Sequence, residues 1–152
     1  MPHASLSPPS HTSYELLERI VALYKNNDLA VPDPCWPEDV RVLLLEINEY
    51  LSEAEVKIGE LQQSLGIVNH DVSEVFARHV GLRPKRYQLH HRIELAKRLL
   101  RYPSLQGMSV TEVAMAVGFV SLGAFSKAFK EKAGCAPSTY RLTGNHAPRE
   151  KS

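Results

Sequence analysis

An all-α fold is what this sequence predicts, and three observations predict it. Apolar residues recur three and four positions apart in nearly every well-patterned stretch, the spacing of a helix with one buried face. Start and stop signals bracket those stretches, among them a Ser109/Glu112 capping box, a Ser121 cap, and the terminating Gly118 and Gly134. The pattern of residues 108–141 also recurs in degenerate form 52 or 53 residues earlier in the chain. The architecture these imply is two helix-turn-helix subdomains joined by a linker helix, with a short helical arm in front.

The N-terminal stretch, residues 1–13 (MPHASLSPPSHTS), is rich in Pro and Ser and has the composition of a disordered segment. His3 and His11 read as tail residues, not metal ligands. From Tyr14 to Lys25, the side chains of Tyr14, Leu17, Val21 and Tyr24 share one face of a short amphipathic helix. That face is expected to dock on the following helix or to pair with a second chain. Residues 26–37 (NNDLAVPDPCWP) are a breaker-rich linker. A strong helix is expected over Asp39–Glu53, with Val40, Leu43, Leu44, Ile47, Tyr50 and Leu51 as its buried stripe.

The clearer copy of the repeat comes last. After the Ser109/Glu112 box, Val110, Val113, Ala114 and Val117 form one apolar face, and Gly118 ends the helix. Ser121 caps a second helix whose apolar stripe is Leu122, Phe125, Ala128 and Phe129. It stops at Gly134, and Pro137 opens a short third helix carrying Tyr140. Two short helices joined by a Gly-containing turn, the second Lys-rich outside, is the helix-turn-helix plan. In the earlier copy, Lys57, Glu60 and Gly66 stand 52 residues before Ser109, Glu112 and Gly118. Val72, Phe76, Gly81, Pro84 and Tyr87 stand 53 before Phe125, Phe129, Gly134, Pro137 and Tyr140, so one extra residue falls in the second turn. Between the copies runs Pro84–Arg101, with Leu89, Ile93, Ala96 and Leu100 as a continuous stripe. About seven helices are expected in the basic part of the chain.

Composition bounds the function. The chain of 152 residues has room for one domain with an extra arm. No apolar run reaches the length of a membrane span, and no secretory signal opens the chain, so a cytoplasmic, nucleoid-associated protein is expected. Cys35 and Cys135 are far apart and form no CxxC or Cys/His cluster, which argues against structural zinc. No GxSxG, Walker-type loop or HExxH helix is present, so neither an enzyme nor a cofactor is expected. The net charge of +1 hides a segregation: residues 1–55 hold 3 Lys/Arg against 10 Asp/Glu, and residues 56–141 hold 13 against 6. An acidic arm before a basic block is the electrostatic pattern of a nucleic-acid binder.

Gly118, Phe119, Ser121, Phe125, Phe129, Lys130, Gly134, Pro137, Tyr140 and Arg141 together resemble the C-terminal signature of AraC/XylS-type transcription regulators. Arg92, Ile93, Ala96, Leu99 and Leu100 likewise resemble the linker helix of that family. The resemblance implies double-stranded DNA as partner, with RNA polymerase a further candidate. A linker of 18 residues is a rod of roughly 27 Å, which sets two recognition helices about one duplex turn, ~34 Å, apart. The family pattern places Asn69, His70, Ser73 and Glu74 of the first copy toward the groove. In the second copy it places Leu122, Gly123, Ser126 and Lys127 there, beside the capping Ser121. Arg78, Arg83, Lys85, Arg86, Lys130, Lys132 and Arg141 are the expected phosphate contacts, which fix register and not sequence.

The chain departs from the pattern chiefly at its reading surface. Lys57 stands where a capping Ser is usual, and Val68 replaces another Ser, leaving Asn69 to cap. Glu74 and Ala77 occupy positions that are usually basic, and Leu122 and Gly123 positions that are usually polar. Two readings follow. One is a sequence-specific regulator reading an asymmetric site through two recognition helices in successive major grooves. The other is an interaction protein of the same fold that regulates through a protein partner and binds DNA weakly. The expected organisation is an arm over 1–35, a tandem helix-turn-helix domain over 36–142 and a flexible tail over 143–152. Only about 35 residues precede the first domain helix, fewer than the ~40 a chain needs to fold unaided, so no small-molecule sensor domain is expected. The protomer is expected to be a monomer or a weak homodimer through the arm.

Overall fold

The linker helix is the axis on which the other elements pack. In the computed structural model, which describes residues 11–143, Pro84 occupies the first turn of helix α5 (Pro84–Arg101). Proline suits that place because its missing N–H would have had no partner there. Ile93, Leu95, Ala96, Leu99 and Leu100 are fully buried along the helix. Ahead of it lie α1 (His11–Asn27), α2 (Glu38–Glu49), α3 (Ile58–Ser64) and α4 (Val72–Val80). After it come a 3-10 turn (Pro103–Leu105), α6 (Val110–Ala116), α7 (Leu122–Ala133) and α8 (Pro137–Thr143). Among the described residues there is no strand, and the fold is all-α as expected. Residues 56–143 contain six α-helices and the 3-10 turn, in line with the expected count of about seven.

Helices α2, α3 and α4 make the first subdomain, and α6, α7 and α8 the second; α5 touches both. The internal repeat is visible in the packing. Phe76 meets Tyr87 edge-on at 5.9 Å between ring centroids, and its counterpart Phe129 meets Tyr140 edge-on at 5.4 Å. All four rings are buried, so each subdomain is anchored by the same T-shaped pair. The backbone repeats as well. Gly66 and Gly118, at the two helix-turn-helix turns, both have positive φ, as do Gly81 and Gly134 at the ends of α4 and α7.

Several local expectations shift. Helix α1 begins at His11, so residues 11–13 are helical, and the remaining residues 1–10 lie outside the described structure, as do 144–152. Its buried residues are Ile20 and Tyr24, while Tyr14 is exposed and Leu17 and Val21 are half-buried. Helix α2 stops at Glu49, which leaves Tyr50 exposed rather than in the stripe, although Leu51 is buried. Helix α1 packs chiefly on α5, not on α2 as expected. The Tyr24 hydroxyl lies 2.7 Å from His91 Nδ1, and Arg98 covers the Tyr24 ring while pairing with Asp28. Burial, reinforced by neighbouring His90, pushes the His91 pKa down to about 4, so at neutral pH the imidazole that shares this hydrogen bond with Tyr24 is uncharged. Asn48 and Tyr87 hold Ala30 from both sides: Asn48 Nδ2 donates to its carbonyl and its N–H donates to the Tyr87 hydroxyl. Ile20, Tyr24 and Leu29 thus join the same core as α2 and α5.

Candidate nucleic-acid interface

The two second helices, α4 and α7, begin differently because their cap residues differ in chemistry. Lys57 precedes α3 without a side-chain cap bond, since an ammonium group can donate but not accept. Asn69, expected to cap α4, instead accepts from the Asp71 N–H at 2.9 Å and forms a turn ahead of the cap position. Asp71 holds that position and makes no side-chain cap bond. In the second copy the Ser109/Glu112 box is complete, and the Ser121 hydroxyl accepts from the Ala124 N–H at 3.1 Å. A satisfied cap is worth about 1 kcal/mol, so the second unit has the firmer start.

Helix α4 buries Val72 and Phe76 and turns Asn69, His70, Glu74 and Arg78 outward, with Ser73 half-buried. Helix α7 buries Phe125 and Phe129 and turns out Gly123, Lys127 and Lys130, with Ser126 half-buried. Leu122, read as part of the apolar stripe, is 41% exposed and sits on the outward face instead. At this first turn the core below is already filled by Phe119, whose ring packs on Phe125 at 5.2 Å.

Of the expected phosphate contacts, Arg78, Arg83, Lys85, Arg86, Lys130 and Lys132 are all exposed. Arg83 lies 3.7 Å from Glu74, so the carboxylate that departs from the family pattern has a cation beside it. Both partners are more than half exposed, and such a pair contributes little stability. Arg141 is placed differently from its expected role. Its Nη1 donates to the Met108 carbonyl at 2.6 Å, its Nε and Nη2 have no accessible surface, and burial lowers its pKa. The guanidinium faces the start of α6 rather than the solvent, and it braces α8 against that helix.

One residue acquires a role that its place in the linker pattern did not reveal. Arg92 on α5 donates from Nε to the Leu51 carbonyl at 2.7 Å and from Nη2 to the Glu53 carbonyl at 3.1 Å. Those carbonyls follow α2, in the first subdomain. The same guanidinium lies against Gly118 of the second subdomain, where a Cβ would come within 2.6 Å of it. Burial pushes the Arg92 pKa down to about 10, so it remains charged at neutral pH. Arg92, Lys57 and Lys85 also border an open cleft of about 360 Å³ between the subdomains, floored by Val56 and Phe119. No signal in the linear sequence marks this contact, because Arg92 and Gly118 come together only in the folded chain.

Paired three-helix units that expose cations and polar groups on their second helices define a helix-turn-helix nucleic-acid-binding domain. Residues 61–143 match the family model described as a helix-turn-helix domain. The HTH-type transcriptional regulator YidL of Escherichia coli K12 is 42% identical over 78 residues, covering 51% of this chain and 25% of the relative. The HTH-type transcriptional regulator GbdR of Pseudomonas aeruginosa is 33% identical over 100 residues, covering 66% and 26%. This chain therefore spans about a quarter of the length of those relatives. The fold is shared with the DNA-binding domain of the global transcriptional factor AdpA, solved in complex with a target DNA, at a TM-score of 0.61 and 24% identity over 70% of this chain and 93% of that one. The chain belongs to the AraC/XylS-type family of helix-turn-helix, DNA-binding transcription regulators. No helix of the described residues is long and apolar enough to cross a membrane.

Proposed function

We propose that this chain reads one asymmetric DNA site through α4 and α7, placed in successive major grooves, and thereby regulates transcription. The observation that carries the reading is the repeated frame. The same buried aromatic pair and the same glycine turns set α4 and α7 in equivalent positions, yet their outward residues differ. Two different reading faces on one repeated scaffold require a site without two-fold symmetry. Asn69, His70, Ser73 and Glu74 face one half; Ser121, Leu122, Gly123, Ser126 and Lys127 face the other. Arg78, Lys85 and Lys130 supply phosphate contacts, with Arg141 left to its structural role. Gel-shift of the full chain on genomic fragments at two salt concentrations tests this: Lys and Arg release counterions, so affinity falls steeply with salt. A flat response, or no binding at low salt, refutes it.

Packing of Ile20 and Tyr24 into the protomer's own core supports a monomer, because the buried face of α1 is occupied within the same chain. It supports treating the arm as part of the 36–142 unit in function as well as packing. Deleting residues 1–30 then leaves the mass per particle unchanged and lowers the melting temperature. Glu74 favours a second reading, in which the fold acts mainly through a protein partner such as RNA polymerase: it is an exposed acid on a helix that should approach phosphates. Co-purification with polymerase together with salt-insensitive, weak DNA binding would select that reading. A cytoplasmic, nucleoid-associated location follows from the DNA-binding reading and is tested by imaging a tagged full chain.

A further inference from the structure

We propose that the second recognition helix reads thymine through its 5-methyl group, with Leu122 and Val120 as the reading side chains. The inference rests on the reading above, in which α7 enters a major groove. The entering end of α7 is short of groups that could hydrogen-bond a base edge. The Ser121 hydroxyl is held at the cap by accepting from the Ala124 N–H, which leaves its single O–H as the one side-chain donor between Val120 and Ala124. Gly123 has no side chain and nothing within 4 Å of where one would stand, and Ala124 is apolar and exposed. Beyond Ser121, the next exposed polar side chain is Lys127, more than a full turn later, with Ser126 half-buried beside it. Asn69, His70, Ser73 and Glu74 make the equivalent end of α4 more polar, although Val68 is exposed there as well.

What α7 does present there is hydrocarbon. Val120 is 72% exposed and Leu122 41% exposed, and neither is one of the buried residues of the core. A structural duty for either is already filled. A hydrophobic residue just before a cap ordinarily packs on the fourth helical residue, here Phe125, but Phe119 occupies that position with its ring 5.2 Å away. Phe125 and Phe129 complete the buried stripe without Leu122. Lys127, Lys130 and Lys132, all exposed on the same helix, give the face the charge that holds a polyanion. The major groove offers one apolar feature, the thymine methyl, and apolar side chains are its complement. Gly123 lets the helix backbone approach closely enough for Leu122 and Val120 to reach it.

The test begins with sites selected from a random duplex library by the full chain. Each thymine of an enriched site is then replaced singly by deoxyuridine, which lacks only the methyl. Binding should weaken about three- to fivefold at one or two thymines confined to one half of the site, the loss of one buried methyl each. Leu122→Ala or Val120→Ala, both at exposed positions, should erase the difference at one of those thymines, with an unchanged melting temperature. An enriched site that binds equally well with every thymine replaced would overturn the proposal and leave the regulator reading standing. So would sensitivity to the methyl that survives in both variants. Failure to enrich any site would overturn both.

Discussion

Replacing Gly118 with alanine probes how the two helix-turn-helix units are held to one another. Gly118 has φ +110°, and an added Cβ would stand 2.6 Å from Arg92 Nε and 2.7 Å from Cζ. The positive φ alone costs an L-residue about 1–2 kcal/mol. The guanidinium could swing aside only by giving up its bonds to the Leu51 and Glu53 carbonyls. Each bond from a charged donor contributes about 1.5–3 kcal/mol, and partial solvation of the displaced group returns some of it. A total of about 3–5 kcal/mol is expected. Gly66 is the internal control: it is the counterpart in the first copy, with φ +73° and nothing within 4 Å of its Cβ. Gly66→Ala should therefore cost only the backbone strain, about 1–2 kcal/mol. Urea unfolding of both variants, and of Gly118→Ala in an Arg92→Ala background, isolates the contact as a coupling energy of about 1–3 kcal/mol. Equal costs at Gly66 and Gly118, or additivity in the Arg92 cycle, would refute the clamp.

Phe129→Ala and Phe76→Ala each remove a fully buried ring and should cost about 3–5 kcal/mol; a Phe129→Ala melting point within a degree of the parent would show the α7 register to be wrong. Glu74→Arg removes the acid and releases Arg83 from its pair, so DNA affinity should rise broadly and the salt slope steepen by about one unit per new phosphate contact. Lys127→Ala should weaken binding, and loss of binding in Glu74→Arg with a silent Lys127→Ala would reverse the roles of the two helices. His91, held near pKa 4, titrates at ~6.5 once unfolded. A depressed folded pKa means the unfolded chain takes the proton first, so this contribution is intact above about pH 6.5 and is lost as pH falls toward 4. Partial exposure reduces the loss to about 1–2 kcal/mol, and melting curves across that window should flatten in His91→Gln.

What the sequence by itself determined is everything that depends on neighbours along the chain. Helix periods, the Ser109/Glu112 box, the Ser121 cap and the paired glycine turns are local, since each is decided by bonds within a turn or two. For the same reason the repeat was legible, and with it the family and the two second helices. Local reading failed first where cap chemistry was ambiguous, as at Asn69, whose short amide serves a turn as readily as a cap. The directions of the long cations were decided only by tertiary structure. Arg141, Arg92 and Arg98 resemble surface cations in the sequence, yet the first two turn to Met108, Leu51 and Glu53 carbonyls and the third to Asp28, between 33 and 70 residues away. Carbonyls beyond the reach of a helix's own N–H groups need donors, and which guanidinium supplies them depends on how distant helix ends meet. The docking of α1 on α5 rather than α2 has the same origin. The partners of Tyr24, namely His91 and Arg98, share one face of α5 by their spacing of seven, but that Tyr24 meets that face is decided only when α1 packs on α5.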